Sequence, residues 1–133
     1  MEEAAREAVR ERASGLCEYC HLPEAHVLTP FNVEHIVARQ HGGQDALSNL
    51  AYACLACNLH KGPNLTGIDP RTSKLTRLFN PRRHSWTRHF KLQGALLLGR
   101  TAVGRATVQV LAMNDPGRLD LRQELIDQGL FPS

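Results

Sequence analysis

Two short stretches, Cys17-Glu18-Tyr19-Cys20 and Cys54-Leu55-Ala56-Cys57, contain all four cysteines of the chain. Each stretch offers two thiolates at a spacing that suits one tetrahedral ion, and four sulfur ligands are typical of a closed, structural zinc site. The 33 residues between the stretches leave room for a strand, a loop and a returning strand. We therefore expect zinc to close the base of a hairpin, in preference to four free thiols or a redox pair.

Length and composition limit the class of protein. With 133 residues, of which 42% are hydrophobic and 22% charged, the chain has the size of one domain and enough apolar residues for a core. No apolar run is long enough to cross a bilayer, and the acidic start does not resemble a secretory signal. We expect a soluble cytoplasmic protein, a setting in which paired cysteines favour a metal over disulfides.

Positive charge is concentrated in one part of the chain. Residues 71–105 contain nine Lys or Arg and no Asp or Glu, a local charge of +9 in a chain of net charge +3. Most of the basic residues are Arg, whose planar guanidinium suits bidentate contacts with phosphate. The segment is typical of a surface that binds a polyanion. A solvated face that only keeps the protein soluble is the alternative.

Residue patterns predict an alternation of helices and strands. The predicted elements are a helix ending at Ser14-Gly15, a strand over 31–37, a loop at Gly42-Gly43, a return strand over 50–53 and a short helix from Asn58 to Gly62-Pro63. Residues 64–81 are expected to be irregular because of Pro70 and Pro81. A small hairpin over 89–99 and two helices, centred on 103–111 and 121–126, complete the prediction.

The middle of the chain resembles a known family. The ordered elements are Val33-Glu34-His35-Ile36-Val37, Gly42-Gly43, Leu47-Ser48-Asn49-Leu50 and the stretch from Cys54 to Gly62. They resemble the HNH endonucleases, or ββα-metal (His-metal finger) nucleases, in the subtype braced by four cysteines. The resemblance implies an α+β fold with an HNH core on a four-cysteine zinc site, flanked by N-terminal and C-terminal helices. We expect a single domain over 1–133, with the core at about 15–63 and a basic, helical extension at about 64–133.

The resemblance assigns roles to residues of the core. His35 matches the general base, since a neutral imidazole can accept a proton from water. Asn49 matches an asparagine that orients the loop and the histidine. Glu34 and Asn58 match the two protein ligands of a catalytic divalent ion, for which oxygen donors favour Mg²⁺ or Mn²⁺. His60 is a less favoured further ligand. The family more often has Asp or His at the position of Glu34.

The function implied by this resemblance is metal-dependent hydrolysis of phosphodiester bonds, and the expected substrate is double-stranded DNA, with no role for a membrane. The resemblance does not indicate a protein partner. Residues expected to contact nucleic acid are Lys61, Arg77, Arg82, Arg83 and Arg88. Two alternatives stay open: a non-catalytic, zinc-containing module that binds nucleic acid, and a structural zinc protein that docks another protein.

Overall fold

A computed structural model describes residues 2–132 of the chain. Met1 and Ser133, the ends of the expected domain, lie outside the described residues. The helices and strands are α1 Glu3–Arg12, β1 Asn32–His35, β2 Leu50–Ala53, α2 Leu55–Lys61, β3 Thr66–Ile68, β4 Leu75–Arg77, α3 Trp86–His89, β5 Phe90–Gln93, β6 Leu96–Gly99, α4 Ala102–Val110 and α5 Pro116–Asp127. Within this range no helix combines the length and the apolar character needed to cross a membrane. The fold class is α+β, as predicted.

An antiparallel hairpin of β1 and β2 forms the centre of the cysteine-rich part. Its register pairs Asn32 with Ala53 and His35 with Leu50. All four residues of β2 are buried, which explains why this strand has no alternation of polar and apolar residues. The prediction of strand 50–53 is confirmed, and β1 is shorter than the predicted 31–37.

Helix α2 begins three residues before the predicted start at Asn58. The second cysteine pair forms its first turn: Cys54 is the N-cap, and its sulfur accepts a hydrogen bond from the backbone N–H of Cys57 at 3.4 Å. The metal-ligand spacing and the helix start are therefore one local structure. This places Asn58 in the helix directly after a cysteine.

Residues 64–81 contain a hairpin, so the prediction of an irregular segment is wrong. Strands β3 and β4 pair in antiparallel register, with Ile68 opposite Leu75. Pro70 lies in the connecting turn, where it removes no hydrogen bond from the ladder. The predicted hairpin over 89–99 and the two C-terminal helices are confirmed by β5, β6, α4 and α5.

One cluster of buried side chains joins the cysteine-rich part to the C-terminal extension. Aromatic rings make the junction, since Phe79 lies 6.3 Å from Tyr19 and 5.1 Å from Phe90 between ring centroids. Leu97 and Leu111 of the extension are fully buried in the same cluster. The basic segment is therefore held against the β1–β2 hairpin by shared apolar packing.

Candidate functional site

The four cysteines meet in one buried cluster. Their sulfur atoms all lie within 4.8 Å of one another, and the Sγ atoms of Cys20 and Cys54 are 3.7 Å apart. Burial, together with contacts among the thiols, raises the pKa of Cys17 and of Cys57 well above the ordinary value. Four buried thiols packed so closely are suited to sharing a cation that replaces their protons. The cluster is compatible with the predicted structural zinc ion.

A basic side chain from the last helix contacts this cluster. The Nη2 atom of Arg118 lies 3.0 Å from Cys57 Sγ, and its Nη1 donates to the carbonyl of Leu111 at 2.6 Å. Sequence reasoning missed Arg118, because it lies 61 residues beyond Cys57 and follows no metal-binding spacing. The contact ties α5 to the cysteine site and places a positive charge beside sulfur ligands, where it offsets their negative charge.

Asn49 holds the loop that follows β1. Its Oδ1 accepts from the backbone N–H of Val37 at 2.9 Å, and its Nδ2 donates to the carbonyls of Val37 at 2.9 Å and Gln44 at 2.8 Å. The side-chain amide thereby substitutes for a strand partner just beyond the end of the hairpin. These three bonds fix the path of the chain between His35 and β2.

His35 lies half-buried at the end of β1 and contacts a carboxylate. Its Nε2 is 2.7 Å from Asp45 Oδ1, and Arg39 Nε donates to the same oxygen at 3.0 Å. The hydrogen bond from Arg39, followed by that from His35, lowers the pKa of Asp45. A carboxylate that remains ionised can hold an imidazole in one orientation. Sequence reasoning missed Asp45, whose only signal is its place shortly after Gly42-Gly43.

Glu34 lies on the opposite face of β1 from His35, as consecutive strand residues do. It is buried, its Oε1 accepts from the Tyr19 hydroxyl, and its Oε2 lies 3.2 Å from Lys61 Nζ. Burial raises the pKa of Glu34, and the charge of Lys61 opposes that shift. The structure therefore brings Glu34 together with Tyr19 and Lys61, whereas its carboxylate does not contact the imidazole of His35.

Lys61, a predicted phosphate contact, is nearly enclosed by the protein. Its side chain is only 2% exposed, and Nζ donates to the carbonyl of Ile36 at 2.9 Å in addition to its ion pair with Glu34. An ammonium group so enclosed compensates the buried carboxylate and holds α2 against β1. Lys61 nevertheless lines the cavity of about 450 Å³ that Asn49 lines, and its contact with nucleic acid stays a prediction.

Two further predicted ligands lie on α2. Asn58 is half-buried, and within residues 2–132 its side-chain amide has no hydrogen-bond partner. His60 is exposed in the last turn. An amide oxygen and a carboxylate are suitable donors for a hard divalent ion. The amide of Asn58 is available, whereas both oxygens of Glu34 already have partners.

The basic residues divide into two groups. The guanidinium of Arg82 pairs with Glu18 and donates to the carbonyl of Leu50, so its predicted contact with phosphate would compete with an internal ion pair. Arg77, Arg83 and Arg88 are exposed. Two of these three line a cavity of about 450 Å³ together with Asn49 and the backbone beyond β1. The surface beside the loop that Asn49 holds is thus basic.

Comparison with known proteins gives one match. Residues 17–64 match the model of the HNH endonuclease family. No curated protein and no solved structure shows significant similarity to the chain. The matched range begins at the first cysteine and ends before β3, so it covers the β1–β2 hairpin, α2 and both cysteine pairs. Residues 17–64 therefore match an HNH endonuclease domain, and the four clustered cysteines fit its four-cysteine subtype.

Proposed function

We propose that this protein is an endonuclease that hydrolyses phosphodiester bonds of DNA with the help of a divalent metal ion. The observation that carries the proposal is the position of His35 inside the HNH domain. It is half-buried at the end of the hairpin, and a carboxylate holds its imidazole through one nitrogen. A neutral imidazole fixed in this way is suited to take a proton from water.

The hydrogen bond to Asp45 determines which nitrogen acts. When Nε2–H donates to Asp45, the lone pair of the neutral ring is on Nδ1. Nδ1 then accepts the proton of the attacking water, and Asp45 stabilises the imidazolium that forms. Arg39 keeps Asp45 ionised by donating to the same oxygen. Asn49 holds the loop that connects these groups, so it acts by positioning them.

A divalent ion such as Mg²⁺ or Mn²⁺, when bound, supplies positive charge against the scissile phosphate and the leaving 3′-oxygen. Asn58 would hold it through its amide oxygen, and Glu34 through a carboxylate oxygen. Glu34 must release Lys61 to do so, an exchange of one cation for another that keeps the buried carboxylate compensated. His60, exposed in the last turn of α2, is the less favoured further ligand.

Duplex DNA is the proposed substrate because of the charge beside the domain. Arg77, Arg83 and Arg88 are exposed on the extension, and two of them line the cavity that Asn49 also lines. Contacts of this kind with the backbone supply affinity without base recognition.

Incubation of the zinc-loaded protein with supercoiled plasmid and with single-stranded RNA, each with Mg²⁺ or Mn²⁺, tests the proposal. We expect nicked or linear plasmid with the original protein. We expect none with His35→Ala, at unchanged zinc content and unchanged DNA affinity. His26→Ala is the matched control, since His26 is exposed outside the hairpin; it should cleave normally.

Three results would decide against the proposal or against the role of His35. DNA binding without cleavage under any of these metals would favour the non-catalytic nucleic-acid module. Absence of salt-sensitive binding to either nucleic acid would favour the structural zinc protein. Equal cleavage by the original protein and His35→Ala would exclude His35 as the base.

A further inference from the structure

The β3–β4 hairpin exposes apolar side chains on one face. Its cross-strand pairs alternate: Gly67 and Thr76 are half-buried, whereas the pairs Ile68–Leu75 and Thr66–Arg77 are exposed. Ile68 is 45% and Leu75 is 72% exposed. Two large apolar side chains opposite each other on an open strand pair form a small contact surface that folding alone does not explain.

The hairpin is rigid because its inner face and its turn are both fixed to α4. A Cβ atom at Gly67 would lie 2.4 Å from Val110 Cγ2, so the strand packs directly on that helix. Asp69 is fully buried and forms a bidentate pair with Arg105, with both N–O distances at 2.9 Å. The Thr72 hydroxyl also donates to Asp69 at 2.9 Å across the turn. A surface held in this way loses little entropy when it binds a partner.

Positive charges surround the apolar pair. Arg71 and Lys74 are exposed at the turn, and Arg77 is exposed at the other end of β4. Asp69 is the one acidic residue between 64 and 81, and it is buried against Arg105. The hairpin therefore combines an exposed apolar pair with three exposed cations, a composition that complements a nucleic-acid groove bordered by phosphates.

The hairpin also continues the surface of the candidate site. Arg77 belongs to its exposed face and at the same time lines the cavity of about 450 Å³ that Asn49 lines. A polyanion lying along this cavity would therefore reach the hairpin next. The two features form one path, although the HNH family match ends before the hairpin begins.

We propose that the β3–β4 hairpin enters the major groove of duplex DNA. Ile68 and Leu75 lie against base edges there, while Arg71, Lys74 and Arg77 contact the flanking phosphates. The proposal rests on the proposed function, since it concerns how the same substrate is held. A two-stranded ribbon fits the major groove, which is about 12 Å wide, and apolar side chains contact the thymine methyl group there.

The test measures duplex binding by fluorescence anisotropy, with the non-cleaving His35→Ala protein as the background. The double variant Ile68→Ser/Leu75→Ser should weaken binding about tenfold, since it removes apolar contacts that the groove would bury. The matched control is Leu28→Ser, because Leu28 is fully exposed outside the hairpin; it should bind normally. Circular dichroism and zinc content check that each variant is folded.

Methylation of the bound duplex by dimethyl sulfate locates the contact. The reagent modifies guanine N7 in the major groove and adenine N3 in the minor groove. We expect protection of guanine N7 that the double variant loses. Unchanged duplex affinity of the double variant, or protection of adenine N3 alone, would overturn the proposal. A change from dimer to monomer in sedimentation at unchanged affinity would also overturn it, in favour of self-association.

Failure of the hairpin proposal can be distinguished from failure of the proposed nuclease activity. The proposed function fails if the protein with His35 intact never cleaves DNA, whatever its affinity. The hairpin proposal fails if cleavage occurs and the double variant binds and cleaves like the original protein. If the hairpin proposal is correct, the Ile68→Ser/Leu75→Ser variant with His35 intact should still cleave DNA at a saturating protein concentration. It should lose cleavage at low protein concentration.

Discussion

At the scale of single residues, burial decides the role of a charged side chain more than its type does. Lys61 and Glu34 form an ion pair that is almost fully enclosed by β1, α2 and Tyr19. Separating such a pair leaves one charge buried and uncompensated, which costs far more free energy than breaking a surface pair.

Replacement of Lys61 by Met should therefore lower the free energy of unfolding by about 3–5 kcal/mol, because the Glu34 carboxylate is left unpaired. Urea denaturation of the zinc-loaded protein measures this. The double variant Lys61→Met/Glu34→Gln removes both charges and should recover part of the loss. If Lys61 were instead a phosphate contact, the single variant would keep its stability and lose only DNA affinity.

Arg82 and Arg83 provide a matched pair, adjacent in the chain and identical in type. Arg83→Gln should reduce the log–log salt slope of DNA binding by about 0.9, the value for one phosphate contact. Arg82→Gln should leave the slope unchanged and reduce thermal stability, because the ion pair with Glu18 and the bond to Leu50 are lost. Binding at several salt concentrations and thermal unfolding give the two readouts. Equal slopes for both variants would contradict the division of the basic residues.

At the scale of elements, Asp69 joins the β3–β4 hairpin to α4. The hydrogen bonds from Arg105 contribute most to holding the pKa of Asp69 well below its usual range. The Arg71 backbone N–H and the Thr72 hydroxyl lower this pKa further. The unfolded chain therefore binds a proton more readily at this position than the folded protein does. The stabilisation is complete above the ordinary Asp pKa of about 3.9 and is lost as the pH falls through the depressed value.

We accordingly expect the free energy of unfolding of the original protein to exceed that of Asp69→Asn by a margin that is constant above about pH 5. The margin should narrow from about pH 4 downward. Urea denaturation at a series of pH values measures both proteins. Acid release of zinc affects both alike, because they share the same four cysteines. A difference in the free energy of unfolding that does not change with pH would show that the charge of Asp69 does not stabilise the protein.

The elements also show what the sequence could predict. The cysteine spacing and the turn residues around them predicted the β1–β2 hairpin and α2, since metal ligands and turns leave local patterns. The sequence does not reveal β3 and β4, because each strand has only three residues and Pro70 between them indicates an irregular segment. The buried partners of Lys61 and Arg82 come from distant segments, so no local pattern distinguishes these cations from the exposed ones.

At the scale of the whole molecule, the cysteine cluster joins the two ends of the HNH domain and, through Arg118, the last helix. Removal of the metal leaves four buried thiols without the cation that their sulfurs would share. We expect strong chelation to unfold the protein, with loss of helical circular dichroism as zinc leaves the protein in metal analysis. Cys54→Ser should aggregate or fail to fold. A protein that stays folded after complete loss of zinc would contradict a structural role for the ion.

Arg118→Met should speed the transfer of zinc to a competing chelator while leaving the folded protein and its four sulfur ligands in place. The reason is that the guanidinium donates to Cys57 and so reduces the charge that the ligands must bear. A colorimetric chelator measures the rate. Arg100→Met is the control, since Arg100 is exposed and its guanidinium donates to the carbonyl of Thr87, on α3; its transfer rate should equal that of the original protein.

The contact of Arg118 with the sulfur cluster also sets an order of events during synthesis. All four cysteines have been synthesised by residue 57, whereas Arg118, whose guanidinium contacts Cys57, follows 61 residues later. The growing chain can therefore acquire its ion while the sulfurs still face the surrounding water. Docking of the final helix then seals the centre, and a protease that removed that helix would return the thiolates to oxidants and competing metals.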